Sequence, residues 1–277
     1  MTEIIAEIGI NHNGDLELAK RMIDIAVSAG CDYVKFQKRN INICFSREEL
    51  KKARNSPWGV TVEEYKKQLE LSRSAYNEID KYCKDRIIWF ASPWDLQSID
   101  FLMKYDPPLL KIPSALITDI KYLKECRLRA VTRGLQIVLS TGMSDETMVK
   151  KAISTIGLEN IHSVLHCVSS YPSKSEELNL SYIKKLKGMY PDTKIGFSNH
   201  HPGLLGMITA VAYGAEVLEM HITLDRSMYG SDQAASIEPP GLFKMVKYCK
   251  EMKRMKGSGI KEILESEIPK IESLRRV

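Results

Sequence analysis

The sequence predicts an α/β protein built as a (β/α)8 TIM barrel, and three observations support this prediction. The length of 277 residues suits one large barrel better than one ordinary domain or two. Short apolar segments alternate with amphipathic helical segments eight times along the chain. These apolar segments are nearly continuous, which is typical of parallel strands covered by helices. The alternative, an open doubly wound sheet, would begin with a glycine-rich phosphate-binding turn, which does not follow the first apolar segment.

Each predicted strand is a short run rich in Ile and Val. The eight strands are expected at Ile4–Ile10, Tyr33–Gln37, Ile87–Ser92, Leu109–Pro113, Gln136–Ser140, Ser163–Val168, Lys194–Ser198 and Val217–Thr223. The segments between them repeat apolar residues at helical spacing. The corresponding helices are expected at Asp15–Ala29, Thr61–Tyr82, Leu96–Lys104, Thr118–Arg129, Asp145–Ile156, Asn179–Met189, Gly203–Ala212 and Pro240–Met255. The long connection Lys38–Val60 is a candidate lid over the carboxyl ends of the strands. We therefore expect a catalytic barrel over residues 1–255 and a charged tail over residues 256–277.

Composition and charge exclude several classes of protein. The 40 basic and 35 acidic residues give a net charge of +5, and their interleaving argues against nucleic-acid binding. This balance favours a site for an anionic small molecule. No apolar run approaches the roughly 20 residues of a membrane helix, and the amino-terminal segment lacks the basic start of a signal peptide. The six cysteines form no C-x-x-C pair, so we expect reduced thiols and a cytoplasmic protein.

Polar residues stand at the predicted carboxyl ends of the strands, where barrel enzymes carry their chemistry. Lys35 and Lys111 interrupt apolar strands, and a buried lysine is costly unless it is paired or faces an anion. The two lysines together favour an anion site. Glu7 either neutralises Lys35 or acts as a general acid–base. Ser114 and the Ser140-Thr141-Gly142 segment are either turn residues or donors to a phosphate or carboxylate.

Histidines are the second feature of these strand ends. His200 and His221 end neighbouring predicted strands, and two such imidazoles can share one divalent metal. With Asp232 downstream, spacing alone leaves a metal site and a structural role equally open. His166 is either a third member or a core residue, and His12 is either an acid or a turn residue.

Eight motifs taken together resemble the N-acetylneuraminate (sialic acid) synthase family. They follow in the family's order from about residue 3 to residue 240. The motifs are residues 7–14 (EIGINHNG), 34–37 (VKFQ), 111–114 (KIPS), 139–143 (LSTGM), 165–167 (LHC), 171–172 (YP), 196–200 (GFSNH) and 219–226 (EMHITLDR).

The resemblance implies a phosphoenolpyruvate-dependent enzyme on a (β/α)8 barrel. Such an enzyme condenses phosphoenolpyruvate with the open-chain aldehyde of N-acetylmannosamine or a relative, releases phosphate and leaves a 2-keto-3-deoxy sugar acid. It also implies a divalent metal, Mn²⁺ or Mg²⁺, and a homodimer. Matched motif by motif, the resemblance implies that His200 and His221 bind the metal and that Glu7, Lys35 and Lys111 are catalytic. It implies that phosphoenolpyruvate is bound by Lys35, Ser92, Lys111, Ser114, Ser140, Thr141 and Ser198. The sugar would be bound by Gln37, Tyr171 and Asp232.

Two of the departures from the family pattern bear on the sugar acceptor and on the domain organisation. Leu116 stands where relatives commonly carry an acid that contacts the sugar, so we expect an acceptor less polar than N-acetylmannosamine. The chain ends at the basic segment Leu274-Arg275-Arg276, after which most relatives continue into a small antifreeze-like domain. We therefore expect a short member without that domain, either naturally or by its removal.

Two alternatives remain open. The first is an enzyme of the 3-deoxy-octulosonate-8-phosphate or heptulosonate-7-phosphate synthase type, which shares the barrel and phosphoenolpyruvate. Its sugar-phosphate clamp would need arginines near the mouth of the barrel, for which Arg39 and Arg226 are the evident candidates. The second is a catalytically inactive barrel that binds sugar acids.

Overall fold

Eight parallel strands close into a barrel, as the sequence predicts. The computed structural model describes residues 2–276, without the side chain of residue 253. Each strand pairs with the next in the chain, and the last pairs with the first. The strands are β1 (Glu3–Gly9), β2 (Tyr33–Lys38), β3 (Ile88–Pro93), β4 (Leu109–Ile112), β5 (Gln136–Ser140), β6 (Ile161–Cys167), β7 (Lys194–Asn199) and β8 (Val217–His221).

One helix after each strand covers the outside of the barrel. These helices are α1 (Leu16–Ala29), α2 (Arg73–Cys83), α3 (Leu96–Leu102), α4 (Ile120–Arg133), α5 (Glu146–Ile156), α6 (Ser181–Met189), α7 (Leu205–Ala212) and α8 (Pro239–Met255). α4 runs four residues beyond its predicted end because Gly134, with φ of 67°, caps it there. Apart from this end and the predicted helix at Thr61–Tyr82, the predicted and observed ends differ by at most two residues.

The helix predicted over Thr61–Tyr82 is wrong as a single element. It is two helices, Val62–Gln68 and α2. Leu69 and Leu71 are both buried, although residues two apart point to nearly opposite sides of a continuous helix. The break lets both side chains reach the core. Ser72 then starts α2, because its hydroxyl accepts a hydrogen bond from the Ala75 N–H at 3.1 Å.

The connection predicted as a lid has secondary structure of its own and packs at the mouth of the barrel. It contains the short helices Ile41–Cys44 and Arg47–Leu50 and a hairpin of Ala53–Ser56 with Gly59–Thr61. Trp58 stacks on Tyr65 with ring centroids 6.0 Å apart. The Tyr229 hydroxyl donates to the Asn55 carbonyl at 2.9 Å, so the segment is tied to the loop after β8.

The interior of the barrel has an apolar floor. Side chains on alternate residues of the strands meet there, as expected for a closed sheet. The floor consists of Ile5, Phe90, Leu109, Val138, Leu165 and Val217, with Tyr33 packed against them. β7 contributes Gly196, because a Cβ atom there would lie 2.2 Å from the Val217 carbonyl oxygen. The larger apolar core lies between the strands and the surrounding helices.

The carboxyl-terminal segment lies outside this barrel. It follows α8 and carries the short helix Ile268–Leu274. Most of its side chains are exposed, as expected for a charged tail. Residues 1 and 277, the outer limits of the two predicted regions, lie outside the described residues. Among the helices that the structure describes, none combines the length and apolarity needed to cross a bilayer.

Candidate functional site

A ring of side chains, one from each strand, lies above the apolar floor. Each member lies two residues after its strand's floor residue. Because side-chain direction alternates along a strand, both residues point into the barrel. The ring lines a cavity of about 180 Å³ at the carboxyl ends of the strands. Its members are Glu7, Lys35, Ser92, Lys111, Ser140, Cys167, Ser198 and Glu219.

Two buried ion pairs dominate this ring. Lys35 Nζ lies 2.7 Å from Glu7 Oε2 and 2.9 Å from Ser92 Oγ. Lys111 Nζ contacts both oxygens of Glu219, at 2.7 and 3.0 Å. Each of the four charged side chains is at most 6% exposed. The sequence offered Glu7 alone as a partner for the lysines, so the pairing of Lys111 with Glu219 corrects that interpretation.

Glu219 links the two pairs electrostatically. Burial by itself would raise the pKa of Glu219, but Lys111 and Lys35 outweigh burial and hold that pKa at about 2. Burial lowers the pKa of Lys111, and Glu219 opposes this shift. Lys35 also lies 3.8 Å from Glu219. The four groups therefore form one neutral network, in which loss of one charge leaves another uncompensated.

The hydroxyl groups predicted to bind phosphoenolpyruvate differ in their surroundings. Ser198 donates to Glu219 at 3.0 Å, and Ser114 accepts from the Gly142 N–H at 3.0 Å. Ser140 Oγ is buried and has no hydrogen-bond partner within the described part of the chain. It is thus a free donor facing the cavity. Thr141 is not brought to the cavity, because it follows the end of β5 and its hydroxyl donates to the Leu165 carbonyl at 3.0 Å.

The two predicted metal ligands face one another across the edge of this cavity. The ring centroids of His200 and His221 are 5.6 Å apart. His200 Nδ1 donates to the Val168 carbonyl at 2.9 Å, which leaves Nε2 with the free lone pair. His221 Nδ1 is buried without a hydrogen bond to any described residue. Tyr171 packs on His200 with ring centroids 4.0 Å apart.

These imidazoles fit a divalent metal. A carbonyl that fixes one ring nitrogen is the usual outer partner of a metal-binding histidine. Burial lowers the pKa of His221, which favours the neutral form that binds metals. In the part of the chain that the structure describes, no group of three or more His, Cys, Asp or Glu residues is arranged around one metal position. A metal held by these two rings would therefore complete its coordination with substrate and water.

The residues predicted to bind the sugar lie beside Glu7 or beside one of the two imidazoles. Gln37 donates to Glu7 Oε1 at 2.9 Å, and Asp232 Oδ2 lies 3.7 Å from His221 Nδ1. Gln37 and Tyr171 line the cavity, whereas Asp232 does not and lies beside His221. Gly9, with φ of 55°, permits this close approach, because a Cβ atom there would meet Glu7, Gln37 and His221 within 3.3 Å.

Two other residues named from the sequence lie away from the cavity. Leu116 packs against the core between barrel and helices, and Ala115 lines the cavity instead. The expectation of a less polar acceptor rested on Leu116 facing the sugar, so that reason no longer holds. Arg226 donates to the Ala234 carbonyl from its guanidinium and so braces the loop after β8. Trp94, which sequence analysis did not name, does line the cavity.

A larger cavity, of about 570 Å³, lies at the opposite end of the barrel. It is lined by residues from the end of α2, the start of β3 and the segment before β4, among them Asp80, Trp89 and Pro108. Barrel enzymes place their reacting groups at the carboxyl ends of the strands. The ion-pair network and the imidazoles both surround the smaller cavity, so we assign the chemistry there.

His12 has a structural position in the first loop. Its Nδ1 accepts a hydrogen bond from the Gly14 N–H at 2.9 Å, and the side chain is 1% exposed. Burial lowers the pKa of His12 from 6.5 to about 4. Of the two roles left open by the sequence, the turn residue fits this position.

The buried His12 predicts a loss of stability in acid. Between pH 6.5 and about 4 the unfolded chain binds a proton that the folded His12 does not, so stability falls as the pH is lowered through this window. The slope from one such group approaches about 1.4 kcal/mol per pH unit. Urea unfolding of the wild type and of His12→Asn, whose amide oxygen can still accept from Gly14, should show a shallower slope for the variant. Equal slopes would contradict the assignment.

Comparison with known proteins agrees with this architecture. A sequence profile of the NeuB family matches residues 22–261. Human N-acetylneuraminate-9-phosphate synthase is 38% identical over 275 residues, which cover 98% of this chain and 76% of that protein. The N,N'-diacetyllegionaminic acid synthase of Campylobacter jejuni is 35% identical over 99% of this chain and 83% of its own length.

A solved structure gives the same result. The N-acetylneuraminic acid (sialic acid) synthetase of Leptospira borgpetersenii superposes with a TM-score of 0.84 at 34% identity, covering 100% of this chain and 93% of that one. The barrel fold and the resemblance to sialic acid synthases are both confirmed. The chain belongs to the NeuB family.

Proposed function

We propose that this protein is a phosphoenolpyruvate-dependent synthase of a nine-carbon 2-keto-3-deoxy sugar acid. It condenses phosphoenolpyruvate with the open-chain aldehyde of an N-acylated hexosamine and releases phosphate. The observation that carries this proposal is one cavity that joins the paired lysines and carboxylates to the two imidazoles. Relatives named as N-acetylneuraminate-9-phosphate and diacetyllegionaminic acid synthases support this class over an octulosonate or heptulosonate phosphate synthase.

The lysines and hydroxyls supply donors for the anionic substrate. An ammonium group has three N–H donors, and the contacts of Lys35 with Glu7 and Ser92 use two of them. The third can reach the ligand. Lys111 donates to a single carboxylate, that of Glu219. Ser140 adds a hydroxyl group that has no partner among the described residues. These donors match the phosphate and carboxylate oxygens of phosphoenolpyruvate.

The reaction forms one carbon–carbon bond, and at C2 it replaces the carbon–oxygen bond to phosphate with one to an oxygen atom from water. The C3 carbon of phosphoenolpyruvate attacks the aldehyde carbon, and the aldehyde oxygen takes up a proton and becomes a hydroxyl group. Water then adds to the cationic C2 carbon and gives up a proton, for which the Glu7 carboxylate is the available acceptor. The resulting intermediate expels phosphate and leaves the C2 ketone.

A divalent metal, Mn²⁺ or Mg²⁺, is part of this proposal, with His200 and His221 as its protein ligands. When bound, it would polarise the aldehyde toward attack. Tyr171, packed on His200, and Asp232, beside His221, hold these rings in place and border the sugar. We also propose a cytoplasmic homodimer. The six unpaired cysteines suit a reducing compartment, and exposed Ile260, Ile263 and Leu264 of the tail offer apolar surface for a partner.

Phosphate release in ¹⁸O-labelled water tests the proposed function. The purified chain is supplied with phosphoenolpyruvate and Mn²⁺, with or without N-acetylmannosamine or its 6-phosphate. We expect release that requires an aldehyde, and phosphate without label, because the bond broken joins oxygen to carbon. Labelled phosphate would indicate a phosphatase reaction. No release with either aldehyde would favour the inactive sugar-acid-binding barrel.

A further inference from the structure

A second layer of cavity-lining side chains lies beyond the ring, nearer to the mouth of the barrel. We call its members the upper residues, and each comes two positions after the ring residue of its strand. They are Gln37, Trp94, Pro113, Ser169, His200 and His221. The other two strands have Gly9 and Gly142 at this position. A Cβ atom would lie 3.2 Å from Gln37 at the first glycine and 2.1 Å from Ser169 at the second, so both glycines make room for upper side chains.

The ring and the upper residues differ in chemistry. The ring holds the charged and hydroxyl side chains that match phosphoenolpyruvate. The upper residues include no lysine and no acid, but they include Gln37 and both imidazoles. Because the C3 carbon of phosphoenolpyruvate attacks the aldehyde carbon, the acceptor has to lie against phosphoenolpyruvate on its open side. The open side is the mouth of the barrel, so the upper residues border the acceptor.

Trp94 is the largest upper residue, and the reaction steps described above give it no role. Its backbone N–H donates to the Lys38 carbonyl at 2.9 Å, which continues the pairing of β2 with β3. The next side chain, Asp95, accepts a hydrogen bond from the Asn40 N–H at 2.7 Å. These two bonds hold the backbone that carries the indole ring.

One face of the indole ring is covered by Arg39, whose guanidinium lies 4.5 Å from the ring centroid. Arg54 packs on Tyr65 in the same way, at 3.9 Å. Neither arginine lines the cavity, whereas Trp94 does, so the indole presents its uncovered face or its edge there. Trp94 Nε1 is buried and has no hydrogen-bond partner among the described residues, although a buried indole N–H normally has one.

Trp94 and His200 lie on opposite sides of the cavity. They follow β3 and β7, which are four strands apart in the closed order of eight and therefore face each other across the barrel. An open-chain acceptor whose aldehyde lies at the imidazoles would extend its carbon chain across the cavity toward the indole. The oxygen atoms along this chain could accept the unpaired N–H.

We propose that Trp94 binds the sugar acceptor and takes no part in binding phosphoenolpyruvate. This inference rests on the proposed function and adds a residue that recognises its second substrate. The indole packs against the carbon chain of the acceptor, and Nε1 donates to one of its hydroxyl or acyl oxygens. An apolar ring with one neutral donor suits the C–H and hydroxyl groups of a sugar better than an anion. Arg39 acts as a positioning residue, because it holds the ring from behind.

Two substitutions of Trp94 test this role. Trp94→Phe removes the N–H and keeps an aromatic ring, and Trp94→Leu removes the ring as well. We expect Trp94→Phe to raise the KM for the aldehyde about two- to tenfold, the value of one uncharged hydrogen bond. Trp94→Leu should raise this KM further, and both variants should keep the KM for phosphoenolpyruvate. Trp58→Phe is the matched control, since Trp58 packs on Tyr65 and does not line the cavity.

Tryptophan fluorescence measures the same contact without turnover. The probe is the open-chain alcohol made by reducing N-acetylmannosamine, which has no aldehyde and cannot react. The chain has three tryptophans, so substitution can assign a signal to one of them. In the presence of phosphoenolpyruvate, the alcohol should change the fluorescence of the wild type and of Trp58→Phe, but not that of Trp94→Phe.

Three outcomes would overturn the proposal. These are a wild-type KM for the aldehyde in both Trp94 variants, an equal rise in the KM for phosphoenolpyruvate, or a fluorescence change that persists in Trp94→Phe. If neither aldehyde supports phosphate release, the proposed function fails. The assignment of Trp94 then stands only if calorimetry shows that Trp94→Leu binds the alcohol at least about threefold more weakly than the wild type and Trp58→Phe do.

Discussion

Replacing Lys111 with methionine is expected to raise the KM for phosphoenolpyruvate by about ten- to a hundredfold, and the KM for the aldehyde much less. Loss of one charge-assisted contact costs roughly 1.5–3 kcal/mol, which corresponds to that range. Methionine keeps the length of the side chain and removes its charge. Initial rates of phosphate release, with each substrate varied in turn, measure the two constants.

The structure adds a second consequence for this residue. Lys111 neutralises Glu219, so either single substitution leaves a buried charge without its partner. We expect Glu219→Gln to cost about 3–5 kcal/mol of unfolding free energy. The double variant Lys111→Met/Glu219→Gln should recover most of this stability but not the affinity for phosphoenolpyruvate. Stability and substrate binding are thereby measured separately.

Glu216→Gln is the matched control for this cycle. Glu216 pairs with Lys187 at 2.6 Å, but both side chains are more than a third exposed, and such pairs contribute about 1 kcal/mol or less. If Glu219→Gln unfolds at the same urea concentration as the wild type, the buried pair does not stabilise the barrel. If Lys111→Met leaves the KM for phosphoenolpyruvate unchanged, Lys111 serves only as the counter-ion of Glu219.

The alternation of side-chain direction along each strand explains why much of the site was predictable. Every floor position is followed two residues later by a ring position, as with Leu109 and Lys111 or Val217 and Glu219. The same rule places Glu219 in the ring, although sequence analysis gave it no role. Applied to all eight strands, this alternation places Glu219 in the same ring as Lys111 without any coordinates.

The rule stops where the backbone leaves the strand. Thr141 and Leu116 both follow strand ends, where side-chain direction depends on the local turn instead of a period. Arg54 was harder still, because it comes from a hairpin whose packing on Tyr65 depends on tertiary contacts. Arg39 was named from the sequence, but only because an arginine followed the second strand.

Replacing either His200 or His221 with alanine is expected to abolish metal-dependent turnover. Loss of an outer hydrogen-bond partner already costs a metal site about ten- to a hundredfold in affinity, and loss of a ligand should cost at least as much. Titration of the metal-stripped chain with Mn²⁺, followed by the electron paramagnetic resonance of the free ion, measures binding without catalysis. Urea unfolding of each variant separates lost binding from lost folding.

His201→Ala is the matched control for the metal prediction. His201 is adjacent to His200, but its Nε2 lies 3.0 Å from Ser175 Oγ and it does not line the cavity. The variant should therefore bind Mn²⁺ like the wild type. Ser198 and His200 line the cavity, whereas Asn199 and His201 do not. If His221→Ala keeps its kcat in the presence of a chelator, the imidazoles have another role. The unpaired Nδ1 of His221 would then be a hydrogen-bonding group for the sugar, and the variant should raise the KM of the aldehyde alone.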